Sequence, residues 1–228
     1  MKVTFLGHAC FLINGTSNII IDPFLTGNPM AVTKKEDIQT DYVLVSHGHY
    51  DHMGDAVAVA KKCNATAVSV AEIANYLARN GVNAHAMHIG GGHDFGSFKV
   101  KLTPAWHGSS LPRDDGTAEY LGNPCGFIVT IDGKVIYHAG DTGLFGDMEL
   151  IGRLNSIDLA LIPIGDNFTM GPQDALEAIK LIKPRVVIPM HYNTWPLIEQ
   201  DVGKFKEDVQ TNTGVTVRIL SPGEALDM

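Results

Sequence analysis

His47-Gly48-His49-Tyr50-Asp51-His52 sets three imidazoles and a carboxylate directly after the apolar run Tyr42-Val43-Leu44-Val45-Ser46. A buried strand with such a tip must end at a rigid edge where the polar cluster has a partner. His and Asp are seldom fully buried alone, and several together repel or stay desolvated unless a cation holds them. In an extended loop His47 and His49 point the same way and can share one ion. Asp51 and His52 lie a few residues further on, within reach of a second.

The chain around this motif reads as alternating strands and helices. Lys2–Leu6, Cys10–Ile13 and Asn18–Ile21 are expected strands, and Tyr42–Ser46 delivers the motif. Asp55–Cys63 and Ala71–Asn80 read as helices, the second stopped by Gly81, with strand Thr66–Val70 between them. Strand Ser97–Thr103 leads toward His107. Asp132-Gly133 between Phe127–Ile131 and Lys134–His138 is a two-residue hairpin signal. Helix Pro172–Ile182, strand Arg185–Pro189, helix Leu197–Val209 and strand Thr216–Leu220 complete the pattern.

Two stretches of the second half parallel the first. Ile136–Gly143 resembles Ile20–Gly27, and Asp158–Pro163 resembles Asp41–Ser46. Each half then has a hairpin plus strand–helix units, with helices enough for one face of its sheet. Two such sheets must bury their bare faces together, so the expectation is an α/β four-layer αββα sandwich. It forms one domain, 1–228, of two pseudo-repeated halves, about 1–107 and 108–228.

The 45% hydrophobic and 18% charged composition over 228 residues suits one large domain. A net charge of −8 with no basic stripe disfavours nucleic acid as a partner. No apolar run approaches the ~18 residues of a membrane span. Cys10, Cys63 and Cys125 are odd in number and lack C-x-x-C spacing, as small apolar residues in a reducing compartment would. With no leader-like N-terminus, the expected location is cytoplasmic. The expected partner is a small molecule, with neither nucleic acid nor membrane; a homo-oligomer is left open.

More ligands are needed for two ions, and they occur at strand ends. His107 follows Leu102–Trp106, Asp141 follows the hairpin strand through Gly140, and His191 follows Val186–Met190. Taken alone, each would pass as a structural histidine or a turn aspartate. Together with H-x-H-x-D-H they suggest one edge of a rigid scaffold.

These motifs resemble the signature of the metallo-β-lactamase-fold superfamily. Gly7-His8-Ala9-Cys10-Phe11-Leu12-Ile13 and Thr169-Met170-Gly171-Pro172 are similar to a branch of metal-dependent hydrolases related to ascorbate-6-phosphate lactonase and N-acyl-phosphatidylethanolamine phospholipase D. The resemblance implies His47, His49 and His107 on one ion, Asp51, His52 and His191 on the second, and Asp141 bridging. True β-lactamases carry Cys at the position of Asp141, which argues against β-lactam hydrolysis. Di-iron oxygen reductases of this fold carry Glu where this chain has His49, which argues against redox chemistry.

Seven imidazole and carboxylate donors suit two divalent ions, Zn first, with Mn, Fe or Ni acceptable. The implied activity is hydrolysis of a small, anionic lactone, ester or phosphodiester by hydroxide bridging the metals. Lowering water's pKa from 15.7 toward ~7 is worth about 12 kcal/mol, so the metals would dominate catalysis. Asp51 and His8 are the candidate catalytic residues: Asp51 ligates and orients the nucleophile or takes its proton, and His8 contacts substrate or donates a proton. The second reading of His8 is structural. Asp22 reads as a hydrogen-bond partner of the H-x-H loop, His138 as structural, and His85, His88 and His93 as scattered surface residues. The N-terminus of the helix at Pro172 and Arg113 are candidate contacts for an anion. Arg113 lies in a polar flap, His107–Gly122, with Ser109, Ser110, Asp114 and Asp115. The alternatives are an RNA or lipid phosphodiesterase, disfavoured by charge and by the lack of an amphipathic docking helix, and a non-catalytic metal-binding or sensing protein.

Overall fold

Strand-forming apolar runs assemble into two seven-stranded sheets in the computed structural model, which describes residues 1–113 and 115–228. The flap residue Asp114 lies outside the described residues. The first seven strands are β1 (Lys2–Gly7), β2 (Cys10–Asn14), β3 (Asn18–Ile21), β4 (Tyr42–Leu44), β5 (Thr66–Val70), β6 (Ala84–Met87) and β7 (Gly92–Asp94). They are followed by β8 (Lys99–Pro104), β9 (Ser110–Pro112), β10 (Ala118–Tyr120), β11 (Cys125–Ile131), β12 (Lys134–His138), β13 (Leu159–Pro163), β14 (Val186–Met190), β15 (Thr216–Val217) and β16 (Ala225–Asp227). The helices are α1 (Tyr50–Met53), α2 (Ala56–Cys63), α3 (Ala71–Arg79), α4 (Met148–Leu154), α5 (Pro172–Ile182) and α6 (Val202–Thr213).

One sheet runs β16-β1-β2-β3-β4-β5-β6, the other β15-β14-β13-β12-β11-β8-β7. Each begins as an antiparallel meander and continues in parallel, β3 to β6 in one sheet and β12 to β15 in the other. The matched segments therefore occupy matched positions: β3 answers β12 and β4 answers β13. The sheets do not divide the chain at 107/108, however. β7 and β8, both before residue 107, lie in the second sheet, and β16 returns from the second half to pair with β1. The chain changes sheet between Met87 and Gly92, and β16 crosses back to the first sheet.

Alternation along the strands sets the layers. Phe127, Val129 and Ile131 of β11 join the large core with Phe5, Phe11, Ile13 and Ile19, whereas Ile128 faces the core beneath α4–α6. Leu159 and Leu161 likewise face one way, Ala160 and Ile162 the other. Strands buried on both faces read as continuous apolar runs, which is why they stand out in the sequence. With α2 and α3 against the first sheet, the result is the αββα sandwich.

Three local expectations change. After His49 the motif leaves its extended path: Tyr50–Met53 is a helical turn, so Asp51 and His52 sit on α1. The helix expected at Leu197–Val209 begins at Val202 instead. Pro196 starts a short 3₁₀ turn, and the Asp201 carboxylate caps α6 by accepting from the Lys204 amide at 2.9 Å. The flap is partly ordered as the hairpin β9–β10. No helix among the described residues is long and apolar enough to cross a membrane.

Candidate metal centre

The ends of the strands and the loops that follow them converge at one edge of the sandwich. His8, Asp22 and His191 are each the first residue after a strand (β1, β3 and β14) and each adopts a left-handed backbone, with φ of 59°, 47° and 55°. That conformation costs non-glycine residues of the order of 1–3 kcal/mol and recurs where function fixes it. The turns lock one another in place. The His191 amide donates to the His8 carbonyl at 2.8 Å, and the Cys125 amide to the Ser46 carbonyl at 3.0 Å. Trp106, beside His107, donates its amide to Thr142 Oγ1 at 2.9 Å, tying the His107 loop to that of Asp141.

All seven candidate ligands come together, with His8 beside them. The ring nitrogens of His47, His49 and His107 form one group: His49 Nδ1 lies 3.0 Å from His47 Nε2 and 3.2 Å from His107 Nε2. Asp51, His52, His191 and His8 form a second. Asp141 Oδ2 lies between the two, 2.9 Å from His191 Nε2, 3.3 Å from His52 Nε2, 3.6 Å from His107 Nε2 and 3.9 Å from His47 Nε2.

The chemistry of this donor set fits divalent metal. Burial is the main cause that lowers the pKa of His47, His49 and His107, leaving neutral rings with lone pairs to donate. Burial opposes ionisation of Asp141, yet His191 and His52 hold its carboxyl well below the usual range. His52 is the converse: against burial, Asp141, then Asp22 and Asp51, hold its imidazole well above the usual range. Among the described residues, the carboxylates Asp22, Asp51 and Asp141 have only histidines as ion-pair partners. His52 Nε2 and Asp141 Oδ1 are buried without a hydrogen-bond partner. Surplus negative charge and orphaned donor atoms are what a bound cation would satisfy.

Asp22 supports the motif from beneath. Its Oδ1 accepts from the Ser46 amide at 2.7 Å, while Oδ2 accepts from Ser46 Oγ at 2.6 Å and from His52 Nδ1 at 2.7 Å. His8 is fully buried; Thr194 Oγ1 lies 2.7 Å from Nδ1 and Asp51 Oδ2 3.1 Å from Nε2. Burial, with His191 second, pushes its pKa down to about 4, so the ring is neutral. Its single proton then sits on Nε2, which donates to the carboxylate, and the Thr194 hydroxyl donates to Nδ1. His138 donates from Nε2 to the Ala9 carbonyl at 2.9 Å and accepts from the Gly140 amide at Nδ1, 3.1 Å away. It buttresses the loop that carries Asp141.

Other candidates lie elsewhere. Arg113 pairs with Glu119 at 3.0 Å, and Arg79 binds the same carboxylate. The N-terminus of α5 at Pro172 lines a separate cleft with Asp166, Asp174, Asp201 and Asp208. His85 and His93 are not scattered: their rings pack at a tilt, centroids 4.3 Å apart, beside Phe95 and across the junction of the two sheets. Sequence reasoning missed Thr194, which has no motif around it, and the structural role of Ser109. The Ser109 hydroxyl accepts from the Gly48 amide at 3.0 Å and pins the H-x-H turn to the hairpin. It also missed the apolar walls of the cavity above the cluster, about 560 Å³, in which Tyr50, Pro112, Phe168, Trp195 and Leu197 rise over His49, His107, Asp141 and His191.

This fold and this cluster define a metal-dependent hydrolase, and comparison with known proteins gives the same class. The sequence profile of the beta-lactamase superfamily domain matches residues 2–191. A UPF0173 metal-dependent hydrolase of Pelotomaculum thermopropionicum is 66% identical over 228 residues, covering 100% of both chains. Another from Desulforamulus reducens is 64% identical over 99% of each. Igni18, a metallo hydrolase from the archaeon Ignicoccus hospitalis, superposes with a TM-score of 0.90 at 38% identity, over 100% of this chain and 98% of its own. The chain belongs to the metallo-β-lactamase superfamily.

Proposed function

We propose that the chain is a dinuclear hydrolase of small molecules that opens a lactone, ester or phosphodiester. The observation that carries this reading is the position of Asp141 Oδ2, within 4 Å of ring nitrogens from both ligand groups. His47, His49 and His107 would hold one ion, Asp51, His52 and His191 the other, and Asp141 both; the all-N,O donor set favours zinc over softer-ligand metals. When bound, the pair supplies a Lewis acid for the substrate oxygen and water acidic enough to attack near neutrality.

The protein's own groups do the rest. Asp51 is the most exposed carboxylate of the cluster, facing the cavity, and its Oδ2 is the acceptor for the proton of the attacking water. His8 Nε2–H holds that carboxylate in one orientation, and Thr194 keeps the His8 proton on Nε2. Asp22 fixes the ring of His52 and the turn at Ser46. Neither Arg113 nor the α5 N-terminus faces the cavity, so an anionic substrate has no protein cation to meet there. Nucleic acid is disfavoured on the same ground.

Elemental analysis of purified protein, paired with a panel of ester, lactone and phosphodiester substrates, tests the reading. Two ions per chain and turnover of at least one class are expected. His49→Ala and Asp141→Ala should bind fewer than two ions and lose activity by at least ~10³-fold; full activity in either removes the mechanism.

A further inference from the structure

The cavity above the metal cluster is built for an apolar group. Phe168 and Leu197 are 49% and 61% exposed, and Tyr50 is 55% exposed, yet all three line one concavity with Trp195 and Pro112. Large apolar side chains held in water together mark a binding surface rather than chance. Here they are held firmly. Phe168 stands on a turn in which Asp166 and Asn167 both have positive φ, 61° and 39°. Leu197 is pushed outward by a 3₁₀ turn whose Ile198 is fully buried. Trp195 packs edge-on to His8, with ring centroids 4.9 Å apart, and Tyr50 packs edge-on to Phe24 at 5.7 Å. Three distant segments thus spend strain and packing to present apolar faces over the reacting edge.

Charge narrows the occupant. The acids in the lining, Asp51 and Asp141, belong to the metal cluster, and no Lys or Arg lines the cavity among the described residues. A carboxylate or phosphate on the distant end of a substrate would therefore be desolvated without a partner.

We propose that Tyr50, Phe168, Trp195 and Leu197 form a specificity subsite for an uncharged aliphatic or aryl substituent, and that the substrate is an acyl compound, an ester or lactone, carrying such a group. This rests on the hydrolytic reading of the metal cluster and adds to it the chemistry of the part of the substrate that does not react.

Binding separates the two. Alkyl hydroxamates, from acetohydroxamate to hexanohydroxamate, place a constant metal-binding head beneath a growing tail, and calorimetry on the zinc-loaded protein needs no turnover. Affinity should rise about two- to fourfold per methylene. A tail of equal length ending in carboxylate should lose that gain. Phe168→Ala and Trp195→Ala should flatten the series at unchanged zinc content, whereas Leu154→Ala, which removes an exposed leucine elsewhere, should reproduce the parent series. A flat series, tighter binding of the carboxylate-ended tail, or no binding by any member overturns the proposal. So does a fall in oligomeric state in Phe168→Ala with the series unaltered, which would make this face a seat for a second copy. A rising series without turnover of any ester, lactone or phosphodiester keeps the subsite and removes the hydrolytic reading.

Discussion

Asp22 and His52 form a fully buried carboxylate–imidazole pair, 2.7 Å between Oδ2 and Nδ1 and thirty residues apart in the chain. The pair leaves Nε2 of His52 as the one ring nitrogen free to face the metal cluster. Outer carboxylates of this kind orient a ligating imidazole and raise its basicity. Asp22→Asn should therefore weaken metal binding by 10- to 100-fold, read by competition with a chromogenic chelator. Excess metal should restore most of the activity. Unchanged affinity would show that the pair is only structural.

His8 and Thr194 make a separable prediction. His8→Gln should lower kcat by about 10²-fold, the size of a lost proton-transfer group, with two ions still bound per chain. Thr194→Val removes the donor that keeps the His8 proton on Nε2 and should cost about tenfold. Loss of metal in step with activity in His8→Gln would instead make His8 a ligand of the second ion, consistent with its place in that group of donors.

Gly140 carries the loop to Asp141 with φ of 63°, and a Cβ there would meet the Cys125 carbonyl oxygen at 2.6 Å. Gly140→Ala combines a disfavoured backbone with a backbone clash that cannot rotate away. It should destabilise the fold by about 2–4 kcal/mol and displace Asp141. A lowered thermal midpoint together with fewer than two ions per chain is the expected pair of readings.

Residues near one another in sequence were the easiest to read. Asp132-Gly133 forms the expected tight hairpin because both residues take positive φ, 51° and 72°, as Asp-Gly turns do. The metal-competent residues at strand ends announced themselves because polar groups rarely close an apolar run without a role. Asp22 was legible for the same reason. What failed was information spread thinly over distance. β7 and β16 are three residues each, largely exposed, and have no alternation to detect; only pairing with distant strands makes them strands. The apolar wall draws single residues from Tyr50, Phe168 and the 195–197 turn, and no local pattern links them. Arg113 looked available because its partner, Glu119, lies across a hairpin that the loop composition concealed.

β7, β8 and β16, which cross between the sheets, bind the two halves more closely than a linker would. With residues 225–227 sealing the edge beside residues 2–4, the amino-terminal sheet stays open on that side until residue 227 has been made. Donors from both halves meet at one rim, so neither half alone can gather a full set around a cation. Gathering the ligand cage therefore needs both halves, and removing residues 225–227 should loosen β1, the strand that leads into His8.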